Sequence, residues 1–312
     1  MKRRLIIDCD PGADDAVLIL MALAVPQTFD VLGITTVAGN APIEWTNKNA
    51  LKLVELAKRT DVKVFGGCRR PMLRKPIYAA YAHGETGIDG SSMPEPKTSL
   101  QSRHAVDFII ETLLHSSQKV TLSVSGPMTN IALALIKEPG IAEHIEEIIF
   151  MGGSTNGGNI TPAAEFNFYV DPHAAHVVIS SGLPMKMIGL NVTHQLVTSE
   201  HRLEILQRMG NEVGRQVAGM LAHGVEHDRV RFGLEGRSVH DACIAAYMLR
   251  PELFTFKKMR VLVDHAGEAT MGASITNEYP AHINDQWLSV ADSIQADQVF
   301  DLIIDLMRTY KD

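Results

Sequence analysis

The sequence predicts an α/β fold in which an open, mostly parallel β-sheet is flanked by helices, and three observations carry the prediction. Short apolar, β-branched runs recur at residues 5–7, 31–37, 62–65, 120–125, 145–151 and 184–190. Helix-period segments at 47–58, 105–114, 130–137 and 172–180 fall between them. Continuous apolar runs alternating with helices are what a sheet covered on both faces requires. Several runs also end in small or polar residues: Ala38-Gly39-Asn40 after Val37, Ser125-Gly126-Pro127 after Val124, and Gly152-Gly153-Ser154 after Met151. One such turn needs no more than backbone freedom, but three at the ends of parallel strands outline a single rim.

The first element carries the densest chemistry. Leu5 to Ala16 reads as a strand, a Pro11-Gly12 turn and a helix start, with Asp8, Asp10, Asp14 and Asp15 inside eight residues. Crowding four carboxylates costs on the order of several kcal/mol unless a cation or hydrogen-bond donors compensate. A helix cap accounts for Asp14 or Asp15, but not for Asp8 and Asp10 as well. A bound metal is the leading explanation.

Residues 66–96 hold prolines and glycines without a clear period, and a loop of that length in a compact domain is usually functional or disordered. His83 lies within it. Arg69, Arg70, Arg74 and Lys75 cluster in the same stretch, but Pro71 and Pro76 interrupt them, as in a solvated loop. Residues 199–230 predict a helical pair lying over the sheet and ending near His227, Asp228, Arg231 and Phe232. Ser238-Val239-His240-Asp241-Ala242 opens a further helix with Asp241 at its N-terminus. Strands at 259–263 and 287–290 and a helix at 295–307 close the chain.

With 312 residues the chain is long enough for one large domain, 1–312, and neither a repeat nor a low-complexity linker divides it. A net charge of −7 argues against a nucleic-acid surface, which needs clustered Lys and Arg. The apolar run behind Met1-Lys2-Arg3-Arg4 is too short for a signal peptide, and no run of about 18 apolar residues predicts a membrane span. Cys9, Cys68 and Cys243 form neither a disulfide framework nor a zinc pattern, so the expected compartment is a reducing cytoplasm.

The run Asp8-Cys9-Asp10-Pro11-Gly12-Ala13-Asp14-Asp15-Ala16 resembles the opening motif of the inosine-uridine preferring nucleoside hydrolases. Further matches follow in order: residues 37–40, His83-Gly84-Glu85-Thr86-Gly87, Ser125-Gly126-Pro127-Met128-Thr129-Asn130, 151–153, 158–167, and Val239-His240-Asp241. The resemblance spans residues 8–241 and implies a Rossmann-like sheet with an additional helical segment over the active site. It implies calcium-dependent hydrolysis of the N-glycosidic bond of ribonucleosides, by water activated at the ion with Asp10 as general base.

By the same resemblance Asp10, Asp15, Asp241 and the Ser125 carbonyl hold the ion, a hard-oxygen set of the kind Ca²⁺ takes. Asp14 grips the ribose diol, Asn159, Glu165 and Asn167 grip the sugar, and Asn40 lies beside the pocket. His83 and His240 are the candidates for leaving-group activation, since an imidazole carries a proton near working pH. Asp228 and Phe232 face the base. Assembly as a homodimer or homotetramer is also implied.

Three departures from the family pattern stand out. Asn191 replaces a common aspartate, Asp228, Arg231 and Phe232 replace aromatic or amide groups at the base end, and segment 272–280 lacks a Thr-Val-Val-Asp run. Asp8-Cys9-Asp10 also resembles the Asp-x-Asp start of a haloacid dehalogenase-type phosphatase, but Gly12 stands where that family needs Thr or Val. A non-catalytic nucleoside- or ribose-binding protein is the other alternative, and the presence of Asp10 and both histidines weighs against it.

Overall fold

The computed structural model describes residues 2–279 and 287–312. In chain order its strands are β1 (Arg3–Cys9), β2 (Phe29–Thr36), β3 (Val64–Gly66), β4 (Val120–Val124), β5 (Ile145–Met151), β6 (Met185–Ile188), β7 (Val197–Thr198), β8 (Arg237–Ser238), β9 (Phe254–Val263), β10 (Ser274–Asn277) and β11 (Trp287–Ile294). Nine of these form one sheet in the order β10-β9-β11-β6-β5-β4-β1-β2-β3, while β7 and β8 pair separately. From β3 to β11 every neighbouring pair is parallel. The edge β11-β9-β10 is antiparallel.

The chain winds from β1 outward to β2 and β3, then returns to place β4, β5 and β6 on the other side of β1. In such sheets the crevice opens at the carboxyl ends of the strands where the direction reverses. Here that point lies between β1 and β4, directly above the Asp-rich turn.

Strand alternation divides the core. Leu5, Ile7 and Cys9 of β1 enter one apolar cluster and Ile6 enters the other, as a period of two demands. The first cluster gathers the helices Ala13–Leu23, Ile43–Leu56, Glu212–His223, Ala242–Leu249 and Ala296–Arg308. The second gathers Ala105–His115, Thr129–Lys137 and Pro172–Ile179 on the opposite face. All eleven residues of the Ala13–Leu23 helix are buried. Trimming its Leu18 or Leu20 to Ala is expected to cost about 2–5 kcal/mol and loosen the turn that carries the carboxylates.

The outer elements differ from the sequence expectation. Three helices, Glu200–Gln207, Glu212–His223 and Val225–Phe232, stand where a pair was expected. Val213, Val217 and Leu221 bury the second against the Ala13–Leu23 side of the core, and the third carries Asp228 and Phe232 to the strand ends. The loop at 66–96 contains a single helical turn, Ala80–His83. β9 starts five residues earlier than the apolar run, because its first half carries exposed Thr255, Lys257 and Lys258 and only its end reads as apolar. β7, β8 and β10 are two to four residues long and leave no periodic signal. Of the atypical segment 272–280, Pro280 lies outside the described residues. Among the described residues, no helix is long and apolar enough to cross a membrane.

Candidate active site

β1 ends at Cys9, and Asp10-Pro11-Gly12 turns the chain into the Ala13–Leu23 helix. Asp15, in the first turn of that helix, accepts the Gly12 N–H at 2.9 Å. The capping role is therefore real for Asp15, but it occupies only one side of the carboxylate. Its other oxygen accepts the Ser125 hydroxyl at 2.6 Å from the end of β4, while the Asn40 amide, from the end of β2, donates at 3.1 Å to the same oxygen as the Gly12 N–H. Three strand ends thus converge on one buried carboxylate.

Asp10 is fully buried, with Oδ2 taking the Asn40 N–H at 2.6 Å. Among the described residues its Oδ1 has no partner, nor has Asp14 Oδ1. The neighbouring strand-end turns make room for it: a Cβ on Gly39 would lie 2.1 Å from Oδ2, and one on Gly126 would lie 2.6 Å from Oδ1. These two glycines are therefore needed for close approach to the carboxylate.

Carboxylate oxygens of Asp14, Asp15 and Asp241 lie within 4.8 Å of one another. The structure thus brings Asp14, expected as a ribose grip, into the carboxylate trio, and leaves Asp10 beside it with one oxygen free. Burial, reinforced by Asp15, raises the Asp10 pKa well above the ordinary carboxylate range. Burial, and then Asp14, does the same to Asp241 and pushes Asp15 up to about 6. This is the electrostatic state a cation relieves. Oxygen donors only, unpartnered buried oxygens and mutual repulsion fit a hard divalent ion. The Ser125 carbonyl accepts the Asn167 amide at 2.7 Å and keeps a second lone pair for such an ion.

Asp8 stands apart. Its Oδ1 accepts from Thr35 at 2.6 Å and Asn130 at 2.8 Å, and Asn130 also bonds the Thr36 carbonyl and the Cys68 N–H. Its side chain braces the ends of β1 and β2 and does not line the cleft; burial pushes its pKa up to about 7.

A cleft opens over this cluster. Of the residues singled out in the sequence, Asp14, Asn40, His83, Ser125, Asn159, Glu165, Asn167, Asp228, Phe232, His240 and Asp241 line it. Asp10 and Asp15 do not, and are joined to it through Asn40 and Ser125. Glu165 caps the Phe166–Val170 helix, accepting N–H groups of Asn167, Gly153 and Phe168 at 2.8–3.1 Å. Burial raises its pKa to about 7. The Asn167 amide donates to the Ser125 and Met151 carbonyls, whereas Asn159 Oδ1 is buried without a partner among the described residues. Asn191 bonds the Ala291 carbonyl at 2.8 Å and does not line the cleft.

The other end of the cleft is built from short helices. His83 Nδ1 accepts from Arg237 at 3.0 Å and from the Ala13 N–H at 3.3 Å. Burial, and then Arg237, pushes its pKa down to about 3. Burial also lowers His240, whose Nδ1 lies 2.7 Å from the Thr193 hydroxyl. Both imidazoles are consequently neutral N–H donors at neutral pH, in contrast to the stored proton expected from an unperturbed histidine. Asp228 accepts the Ser238 N–H at 2.8 Å and holds His227 Nδ1 at 2.9 Å, so both its oxygens are engaged. Phe232 faces His194 and His227, with ring centroids 5.1 and 5.8 Å away, and His227 faces Tyr81 at 5.2 Å.

Tyr81, His194, His227 and Arg237 carry no role in the sequence reading. Arg237 left the clearest signal, a basic residue three positions before His240, set between Gly236 and Ser238.

The family model described as inosine-uridine preferring nucleoside hydrolase matches residues 5–301. A pyrimidine-specific ribonucleoside hydrolase, RihA, of Photobacterium profundum is 39% identical, over 99% of this chain and 100% of its own. Among solved structures, a plant nucleoside hydrolase superposes with a TM-score of 0.92 at 28% identity, covering 98% of this chain and 99% of that one. A purine-preferring ribonucleoside hydrolase from Gardnerella vaginalis gives 0.91 at 29% identity, covering 98% of each. An open parallel sheet, a carboxylate cluster at its switch point and these likenesses agree: the chain belongs to the inosine-uridine preferring nucleoside hydrolase family, and it is an enzyme that hydrolyses the N-glycosidic bond of ribonucleosides.

Proposed function

We propose that the enzyme is calcium-dependent, acts in cytoplasmic nucleoside salvage and prefers pyrimidine nucleosides, with Asp10 as general base and His83 and His240 serving the departing base. The observation that carries this reading is the buried trio Asp14, Asp15 and Asp241 with the unpartnered Asp10 Oδ1 beside it. Asp10, Asp15, Asp241 and the Ser125 carbonyl would hold the ion, with Asp14 close enough to share it. Bound there, calcium makes a water easier to deprotonate and orients ribose hydroxyls.

Asp10 takes a proton from the attacking water as its oxygen bonds to the anomeric carbon. The C1′–N bond breaks and its electron pair leaves with the base. The negative carboxylate cluster favours the oxocarbenium-like sugar over the neutral nucleoside. Asp14, Asn159 and Asn167 hold the sugar, with Glu165 fixing Asn167 through its backbone N–H. His83 and His240, as neutral donors, place N–H groups against the charge developing on the base. The base regains from solvent the proton that Asp10 removes, so the balance closes at free base and ribose. Asp228 acts on the base end through His227, and Phe232 supplies an apolar ring.

The pyrimidine preference is supported by the name of the Photobacterium profundum relative. The cytoplasmic assignment is supported by three buried free cysteines. Assembly as a homodimer or homotetramer of a single 1–312 domain is supported by the exposed apolar residues Leu262 and Ile275, paired on the sheet edge. A panel of uridine, cytidine, inosine and adenosine tests the substrate reading. It is expected to show at least tenfold higher kcat/KM for the pyrimidine pair; equal or inverted values refute the preference. Tight binding with no base released from any of the four would replace the enzyme with a binding protein.

A further inference from the structure

We propose that Arg237 is a positioning residue for this reaction: together with the Ala13 N–H it keeps His83 Nδ1 an acceptor, so the single imidazole proton stands on Nε2. The inference rests on the reading of His83 as a group that serves the departing base.

Arg237 is 4% exposed and lines the cleft. One arm of its guanidinium donates to the Ala82 carbonyl at 2.7 Å and the other to His83 Nδ1 at 3.0 Å, so the fork is anchored on the same helical turn that it acts upon. The Ala13 N–H aims at the same nitrogen from 3.3 Å. A guanidinium has donors only, and a nitrogen that accepts from it carries no proton.

The alternative tautomer has a waiting partner. Asp14 Oδ1, buried and otherwise unpartnered, lies 3.9 Å from His83 Nδ1. Without Arg237, a proton on Nδ1 would gain a charge-assisted bond to that carboxylate. The change would strip Nε2 of its proton. Arg237 therefore selects between two imidazole states, one able to donate to the base and one tied to the metal end. Space for it comes from Gly224, where a Cβ would lie 1.6 Å from the guanidinium. Residues 82, 83, 224 and 237 thus form a unit that joins two short helices and β8.

Two-bond ¹H–¹⁵N spectra of histidine-labelled enzyme at neutral pH, with His83 assigned from His83→Gln, test the lock directly. The wild type is expected to show only the Nε2–H tautomer at His83, and Arg237→Met to populate Nδ1–H, with Arg237→Lys restoring part of the original state. An Nδ1–H signal in the wild type overturns the proposal. Should Arg237→Met fail to fold, Gly224→Ala, which displaces the guanidinium, provides the second variant.

Kinetics supply the independent arm. Arg237→Met is expected to lower kcat on uridine by about 10²-fold and to leave p-nitrophenyl riboside within about threefold, because a phenolate leaves without a donor. The Arg237→Met/His83→Gln double variant is expected to be no slower than His83→Gln, whereas fully additive losses overturn the proposal. If His83→Gln alone leaves uridine turnover unchanged, the reading of His83 fails and the catalytic use of the lock fails with it. The spectrum still separately upholds or overturns the lock.

Discussion

The two ends of the cleft are built by different means. At the ribose end, loops after β1, β2 and β4 deliver Asp10, Asn40 and Ser125 on a parallel sheet whose hydrogen-bond ladder fixes their spacing. Carboxylates there are buried, mutually repelling and raised in pKa, a state completed by a cation. At the base end, single-turn and two-turn helices contribute His83, His227, Asp228 and Phe232, and burial lowers the pKa of His83 and His240. The first end holds charge that only a bound ion and a sugar can use. The second offers donors and aromatic faces that different bases can meet in different ways. On the proposed reading, chemistry common to all nucleosides sits on the sheet, and choice among bases sits on the short helices.

Perturbing the two ends should accordingly give unlike results. The largest effect is expected at the ribose end, where Asp10→Asn should lower kcat by about 10³–10⁴-fold on every substrate alike. A loss confined to natural nucleosides, measured beside p-nitrophenyl riboside, would move Asp10 to the wrong end of the account. At the base end, His240→Ala should lower kcat by about 10²-fold on uridine but much less on p-nitrophenyl riboside. Equal losses on both would remove its leaving-group role. Phe232→Ala is expected to be milder, raising KM for uridine by roughly three- to tenfold with kcat little changed, as loss of an aromatic contact of about 1 kcal/mol predicts. Initial rates over a range of uridine concentrations separate the two constants.

The smallest effect concerns stability. Burial pushes the pKa of His194 down to about 4 from an ordinary 6.5, so protons bind the unfolded chain more readily than the folded one. Its contribution is complete above about pH 6.5 and is lost as pH falls toward about 4. His194 is partly exposed, and after solvent screening the change between pH 7 and pH 5 is about 1 kcal/mol. Urea midpoints at the two pH values should draw closer together by that amount in His194→Gln. An unchanged gap would show that His194 is not the acid-sensitive group.

The same contrast explains what was legible in the sequence. The ribose end lies on long apolar strands and in one dense run, Asp8 to Asp15, whose crowding demands a physical explanation before any fold is known. Even there the division of roles was only partly readable. Asp14 joins Asp15 and Asp241 in the trio, and Asp8, from the same dense run, bonds instead to Thr35 and Asn130. At the base end, Arg237 meets His83 across 154 residues of sequence, and Tyr81, His194 and His227 lie on turns too short to carry a period. Such residues acquire their roles only from tertiary juxtaposition. The same holds for β10, whose four residues alternate too briefly to stand out from a loop.

The most direct measurement of the account is uridine hydrolysis by enzyme stripped with a strong chelator, followed as Ca²⁺ is returned, with calorimetry of Ca²⁺ binding on the same preparation. The account predicts a loss of at least about 10²-fold on stripping and recovery that follows the occupancy of one site. Weakened binding in Asp15→Asn and Asp241→Asn is part of the same prediction. Full activity after thorough metal removal, or Ca²⁺ binding indifferent to both substitutions, would contradict it.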